Sequence, residues 1–204
     1  TLADLIEGPI QSRAVAFHAG SIGAGGALSF LIAGWTAQHH DWPVAFTISA
    51  LGSLLALVIM IAFVPSQNPP PRKDGGNPFA FLPVLKNKSA MAYAIGYCVH
   101  TWEMFTLRSW IVAFLVFTAA QDGAPNFFIP TVIAMLMEVI GTATSIAGNE
   151  VAIRIGRRRF IYIVMMLSML CSIVVGFTAG LGYGAAALVC LFYNAIIYAD
   201  SSTL

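Results

Sequence analysis

The chain of 204 residues is 58% hydrophobic and only 9% charged, so it is more apolar than an ordinary soluble domain. Its formal net charge is +1, which indicates neither a nucleic-acid-binding surface nor a polybasic lipid anchor. Cys98, Cys171 and Cys190 are isolated in apolar runs, a spacing untypical of a disulfide framework or a metal site. The composition indicates an integral membrane protein.

Six apolar runs are each long enough to cross the hydrocarbon core of a bilayer, which needs about 20 residues of helix. In chain order they cover about residues 14–37, 44–64, 90–119, 127–147 and 160–179, and from about 185 to the end. Backbone polar groups in lipid must be satisfied within the segment, and no run alternates as a barrel strand does. The sequence therefore predicts an all-α integral membrane protein with six transmembrane helices.

Lysine and arginine are concentrated in two of the connections between these runs. Residues 65–88 hold Arg72, Lys73, Lys86 and Lys88, and residues 149–159 (NEVAIRIGRRR) hold four arginines. The other three connections hold neither residue type. By the positive-inside rule we expect both basic loops on the cytoplasmic side, in a bacterial inner (plasma) membrane.

The segment 65–88 has three consecutive prolines and paired glycines, which is typical of a linker between two helical bundles. We therefore expect residues 1–64 to hold the last two helices of an N-terminal bundle. Residues 65–88 then form a cytoplasmic loop, and residues 89–204 hold the first four helices of a C-terminal bundle. This unequal division predicts that further helices of the same full-length chain complete both bundles.

Three stretches resemble the major facilitator superfamily of secondary transporters. Residues 11–46 (QSRAVAFHAGSIGAGGALSFLIAGWTAQHHDWPVAF) resemble its fifth helix, residues 65–88 resemble the loop between its two halves, and residues 149–159 resemble its loop motif, roughly G-x-L-x-D-R-x-G-R-R. The resemblance covers about the fifth to the tenth of the family's twelve helices. It implies that the chain is a multi-pass membrane transporter for a small molecule or an ion.

The loop motif is only partly present. Arg154, Gly156, Arg157 and Arg158 match it, and the resemblance implies that they form a cytoplasmic gate. Glu150 lies four residues before Arg154 on the same helical face and could supply the motif's missing carboxylate. The fifth helix lacks the Gly-Pro pair that the family's drug/proton antiporters carry, which argues weakly against a drug exporter.

The stretch HTWEMFTLRSW, residues 100–110, places ionisable side chains inside the third apolar run. A charge at mid-bilayer costs at least roughly 2.5–3.5 kcal/mol, so such groups should face a partner or a water-filled path. His100 and Glu103 lie one turn apart on one stripe and predict a proton-coupling site. A hydrogen-bonded core pair is the alternative.

Arg108 needs another partner, because it lies about 140° from Glu103 around the helix axis. Counted from the outer helix ends, Arg108 and Glu138 on the fourth helix lie at depths that agree within about 3 Å. We therefore expect an ion pair between them, either as part of the substrate path or as a static packing contact.

Three further groups complete the candidate residues. Asn194 and Tyr193 on the sixth helix are expected on the substrate path, with hydrogen bonding between helices as the alternative. Trp102 could stack on a substrate, as could Trp110, or either could pack in the core. Gly20, Gly23 and Gly26 form a small-residue stripe that we expect to pack against the segment Met137–Gly148 of the fourth helix, through its small residues Gly141, Ala143, Thr144, Ser145 and Ala147.

Together these features predict a secondary active transporter that works by alternating access, with proton coupling through Glu103 and His100. The alternative is a non-transporting helical membrane scaffold or a receptor-like subunit. The sequence shows no catalytic triad pattern, no HExxH motif and no nucleotide-binding loop. We therefore expect no enzymatic activity, no cofactor and no metal, and as partners the solute, protons and the lipid bilayer.

Overall fold

A computed structural model describes residues 9–64, 81–123 and 128–201, and all structural statements refer to these ranges. They form helices α1 (Pro9–His39), α2 (Trp42–Phe63), α3 (Leu82–Lys86), α4 (Lys88–Asp122), α5 (Pro130–Ile155), α6 (Arg157–Phe177) and α7 (Tyr183–Ala199), with a 3-10 turn at Thr178–Leu181 between α6 and α7. The described ranges contain no strand. The all-α prediction is confirmed. The proline-rich part of the predicted linker, residues 65–80, lies outside the described residues.

Each of the six predicted apolar runs overlaps one helix of the structure. Within the described ranges, four helices are long and apolar enough to cross a membrane: Trp42–Phe63, Lys88–Asp122, Pro130–Ile155 and Arg157–Leu181. The apolar helix α7 is shorter, with 17 residues, and α1 is not among the four. The chain is a multi-pass helical membrane protein, and a crossing by α1 and α7 stays a prediction.

The arginine-rich connection is almost entirely helical, unlike the loop that the sequence predicts. α5 continues to Ile155 and α6 begins at Arg157, so a single residue, Gly156, separates them. Its backbone angles are φ 90° and ψ 131°, a conformation that side chains with a Cβ rarely adopt. Gly156 therefore ends α5 and lets the chain turn directly into α6.

The chain divides into two units, residues 1–34 with 95–204 and residues 35–94. In the first unit the core lies between α4, α5 and α7, with Leu115, Met137 and Cys190 among its buried residues. In the second unit the described part of α2 has no buried residue, although its sequence is strongly apolar. A helix that is apolar all round is stable in lipid or against other helices. The predicted bundle boundaries at residues 64 and 88 stay predictions.

We expect Gly156→Ala to lower the free energy of unfolding by about 1–3 kcal/mol, because alanine would be held in a sparsely populated backbone region. Thermal unfolding of the purified protein in detergent measures the effect. The matched control is Gly52→Ala, since Gly52 is helical and has no neighbouring atom within 4 Å of an added Cβ. The control should unfold at an equal or slightly higher temperature. Equal midpoints for both variants would contradict this role of Gly156.

Candidate functional site

Arg108 and Glu138 form an ion pair that joins α4 to α5. Arg108 Nε lies 2.9 Å from Glu138 Oε1, and the Glu138 side chain is only 3% exposed. The Tyr198 hydroxyl of α7 donates to Glu138 Oε2 at 2.8 Å. A buried carboxylate with a counter-charge and a further donor has its desolvation largely offset. These contacts fit the packing alternative, and a place on the substrate path stays a prediction.

α1 reaches this ion pair through Gly26. A Cβ added at Gly26 would collide with the Arg108 guanidinium and lie 2.7 Å from Glu138 Oε2. A Cβ at Gly23 would lie 3.0 Å from the Glu138 carbonyl, and one at Gly20 would lie 3.2 Å from the Thr142 methyl group. The three glycines therefore all face α5, where they let the two helix backbones approach closely.

The face of α5 that α1 meets differs from the predicted one. The three glycines of α1 meet Glu138 and Thr142, which are not among the predicted small residues Gly141, Ala143, Thr144, Ser145 and Ala147, and the Thr142 hydroxyl donates to the Gly20 carbonyl at 3.3 Å. Gly141 and Gly148 face α7, where an added Cβ would meet the Tyr198 ring and the Ala199 carbonyl. A helix turns about 100° per residue, so the stripe of α5 with Glu138 and Thr142 meets α1, while the stripe with Gly141 and Gly148 meets α7.

Glu103 lies among α4, α6 and α7 without a counter-charge. The Tyr193 hydroxyl donates to Glu103 Oε1 at 2.6 Å, and the Ser168 hydroxyl donates to the same oxygen. The ion pairs of the described residues do not include Glu103. The Glu103 carboxyl is therefore held by hydroxyl donors alone.

A cleft of about 770 Å³ lies beside Glu103, and we call it the Glu103 cleft. Its walls are mainly apolar: Trp102, Trp110 and Phe114 from α4, and Met165 and Met169 from α6. Trp102 and Trp110 are 75% and 69% exposed, so neither packs in the core of the described residues. Of the residues predicted to lie on the substrate or proton path, Trp102, Glu103 and Tyr193 line this cleft.

His100 contacts a different carboxylate from the one that the sequence predicts. Its Nδ1 lies 3.2 Å from Asp200 Oδ1, and both side chains are almost fully buried. Although His100 and Glu103 are one turn apart on α4, the imidazole points to the end of α7. The sequence analysis did not single out Asp200, although it is the one acidic residue in the last apolar run, from about residue 185 to the end.

Asn194 does not line the Glu103 cleft. Its Nδ2 donates to the Met137 carbonyl at 2.5 Å, and the side chain is buried between α7 and α5. This hydrogen bond corresponds to the helix-packing alternative for Asn194.

The residues of the loop motif are arranged differently from the prediction. Arg13 Nε of α1 lies 2.8 Å from Glu150 Oε1, and Arg13 Nη2 donates to Glu150 Oε2 at 3.3 Å. Arg13 thus takes the place predicted for Arg154, which forms no ion pair with Glu150 in the part of the chain described. The Arg158 guanidinium lies 5.7 Å from the centre of the Tyr162 ring, and Arg157 is exposed. The Arg13–Glu150 contact joins α1 to α5 beside the arginine-rich turn.

Comparison with known proteins gives one match. A family model described as Major Facilitator Superfamily matches residues 1–200. No curated protein and no solved structure matches the chain. The match covers nearly the whole chain, so it applies to both units described above.

We expect Gly26→Ala to destabilise the protein, because the methyl group would displace the Arg108 guanidinium from Glu138 and leave a buried charge poorly paired. Breaking a buried ion pair costs about 3–5 kcal/mol, which sets the upper end of the expected loss. Gly25→Ala is the matched control, because Gly25 has open space around its added Cβ. Thermal unfolding should separate the two adjacent variants clearly. A Gly26→Ala protein as stable as Gly25→Ala would contradict the contact.

Proposed function

Because the chain belongs to the Major Facilitator Superfamily of transporters, we propose that it is a secondary active transporter for a small solute, coupled to protons and working by alternating access. The observation that carries this proposal is the Glu103 carboxyl, which borders a cleft, accepts hydrogen bonds from hydroxyl donors and belongs to no ion pair among the described residues. A membrane protein that keeps such a group has a use for its change of charge.

Proton coupling follows from the chemistry of Glu103. The hydroxyls of Tyr193 and Ser168 stabilise the ionised carboxylate, but they carry no positive charge to neutralise it. A proton is the simplest neutralising partner, and binding it changes the charge of the cleft by one unit. Glu138 is unsuited to this role because Arg108 already neutralises it. His100 and Asp200 form a second titratable pair that would influence the proton on Glu103.

Alternating access is supported by the contacts between α1 and α5. In the proposal α1 belongs to the N-terminal bundle and α5 to the C-terminal bundle. They meet through small residues, which allow sliding, and through the Arg13–Glu150 pair, in which both side chains are partly exposed. Exposed ion pairs are weak and therefore easily broken, so this pair is suited to a gate on the cytoplasmic side.

The membrane arrangement is part of the same proposal. Both basic segments lie on the cytoplasmic side of a bacterial inner membrane, and further helices of the full-length chain complete the two bundles on either side of the 65–88 linker. The Glu103 cleft then lies within the membrane-spanning part of the C-terminal bundle.

The alternative is a helical membrane protein that acts as a scaffold or receptor-like subunit. Two observations fit this alternative as well as they fit a transporter. His100 and Asn194 make buried contacts between helices, and neither residue lines the Glu103 cleft. Glu103 is the residue that separates the alternatives, because a scaffold has no use for an uncompensated carboxyl beside a cleft.

The distance between α1 and α5 tests the proposal without knowledge of the solute. Spin labels are attached to Phe17→Cys on α1 and Ile153→Cys on α5, both exposed positions, in the full-length protein in nanodiscs. We expect two distance populations whose ratio changes between about pH 5 and about pH 8, because protonation of Glu103 biases one state. Glu103→Gln should abolish this pH dependence. A single distance, unchanged by pH, would favour the scaffold alternative.

A further inference from the structure

The lining of the Glu103 cleft indicates the charge of its ligand, and we propose that the cleft binds a lipophilic organic cation. As a statement about the transported solute, this inference rests on the proposed function. As a statement about a binding site, it rests on the charges, the aromatic surfaces and the size of the cleft.

The charge of the cleft is negative and uncompensated. Among the described acids, Glu138 is paired with Arg108, Glu150 with Arg13 and Asp200 with His100. Glu103 receives hydrogen bonds only from the Ser168 and Tyr193 hydroxyls, both on Oε1. None of the described residues that line the cleft is basic. A cationic ligand would therefore neutralise Glu103, whereas an anionic ligand would meet a charge of its own sign.

The walls of the cleft favour a cation that carries apolar groups. Trp102, Trp110 and Phe114 offer aromatic faces on α4, and such faces attract cations, most strongly where water is excluded. Met165 and Met169 on α6 supply flexible apolar surface that adapts to irregular ligands. A small hydrated cation would leave this surface unused.

The size of the cleft agrees with this chemistry. Its volume of about 770 Å³ falls in the range of roughly 300–1,000 Å³ that is typical of sites for drug-sized molecules. An ammonium or phosphonium ion with several hydrocarbon or aryl groups is of this size. The inference concerns the charge and shape of the ligand and holds equally for uptake and for export.

An anionic solute held by Arg108 is the competing possibility for substrate charge. Arg108 is already neutralised by Glu138, and Gly26 of α1 lies against its guanidinium. Arg108 also does not line the Glu103 cleft. An anion would have to displace a buried carboxylate to reach it, so the observations favour the cation.

Equilibrium binding of two probes of similar shape and opposite charge tests the inference. Radiolabelled tetraphenylphosphonium and tetraphenylborate are titrated onto the full-length protein in nanodiscs, with empty nanodiscs as the background. We expect saturable binding of the cation only. Glu103→Gln keeps an oxygen for the Ser168 and Tyr193 donors but removes the charge, and should weaken cation binding at least about tenfold. Glu103→Asp should retain part of the affinity.

The matched control is Asp41→Asn, which removes an exposed acid in the other unit and should leave the affinity unchanged. Equal binding of both probes, unchanged binding in Glu103→Gln, or no saturable cation binding would each overturn the inference. Cation binding without any movement between α1 and α5 would support the site while refuting the transport proposal. Movement between α1 and α5 that depends on Glu103, without preferential binding of the cation, would support the transport proposal and overturn the cation site.

Discussion

An ionisable side chain in the apolar part of a membrane protein is costly unless it has a partner, and this constraint organises the first unit of the structure. α4 carries three such groups. Arg108 finds Glu138 on α5, His100 finds Asp200 after α7, and Glu103 finds hydroxyl donors on α6 and α7. Each polar contact therefore fixes which helix lies beside α4 and at what height.

The partners differ in charge: Arg108 and Glu138 neutralise each other, whereas Glu103 accepts hydrogen bonds from uncharged hydroxyls. A neutralised pair is suited to a structural role, and a carboxyl without a counter-charge is suited to a functional one. The Arg108–Glu138 pair is neutral as a whole and is enclosed by α1, α5 and α7, which suits it to holding helices together. Gly26 shows how closely it is enclosed, because no side chain fits between α1 and the guanidinium. Glu103 belongs to none of the ion pairs among the described residues, and in the proposed function a proton or a cationic ligand supplies the neutralising charge. In the proposed function, the Glu103 carboxyl beside its apolar cleft is the feature that connects the fold to transport.

Much of the fold could be predicted from the length of the apolar runs, because a segment that crosses lipid must be a helix of about 20 residues or more. The approach of Arg108 to Glu138 also followed from depth alone, since helical rise sets the height of each residue. The sequence did not predict the partners of His100 and Glu150. Periodicity gives the side of the helix on which a residue lies but not which neighbouring helix covers it. For the same reason, Gly141 of α5 was assigned to the contact with α1, although it faces Tyr198 of α7.

Access of water to position 103 is the most direct measure of whether the lone carboxyl serves a transport path. Glu103→Cys, in a background without other cysteines, is treated with a membrane-impermeant thiol reagent in proteoliposomes. Val116→Cys, on α4 outside the cleft lining, is the control. Labelling at 103 from the aqueous phase, much faster than at 116, is the expected result. Absence of labelling at 103 under all conditions, with the protein folded, would show that no aqueous path reaches the cleft and would contradict transport through it.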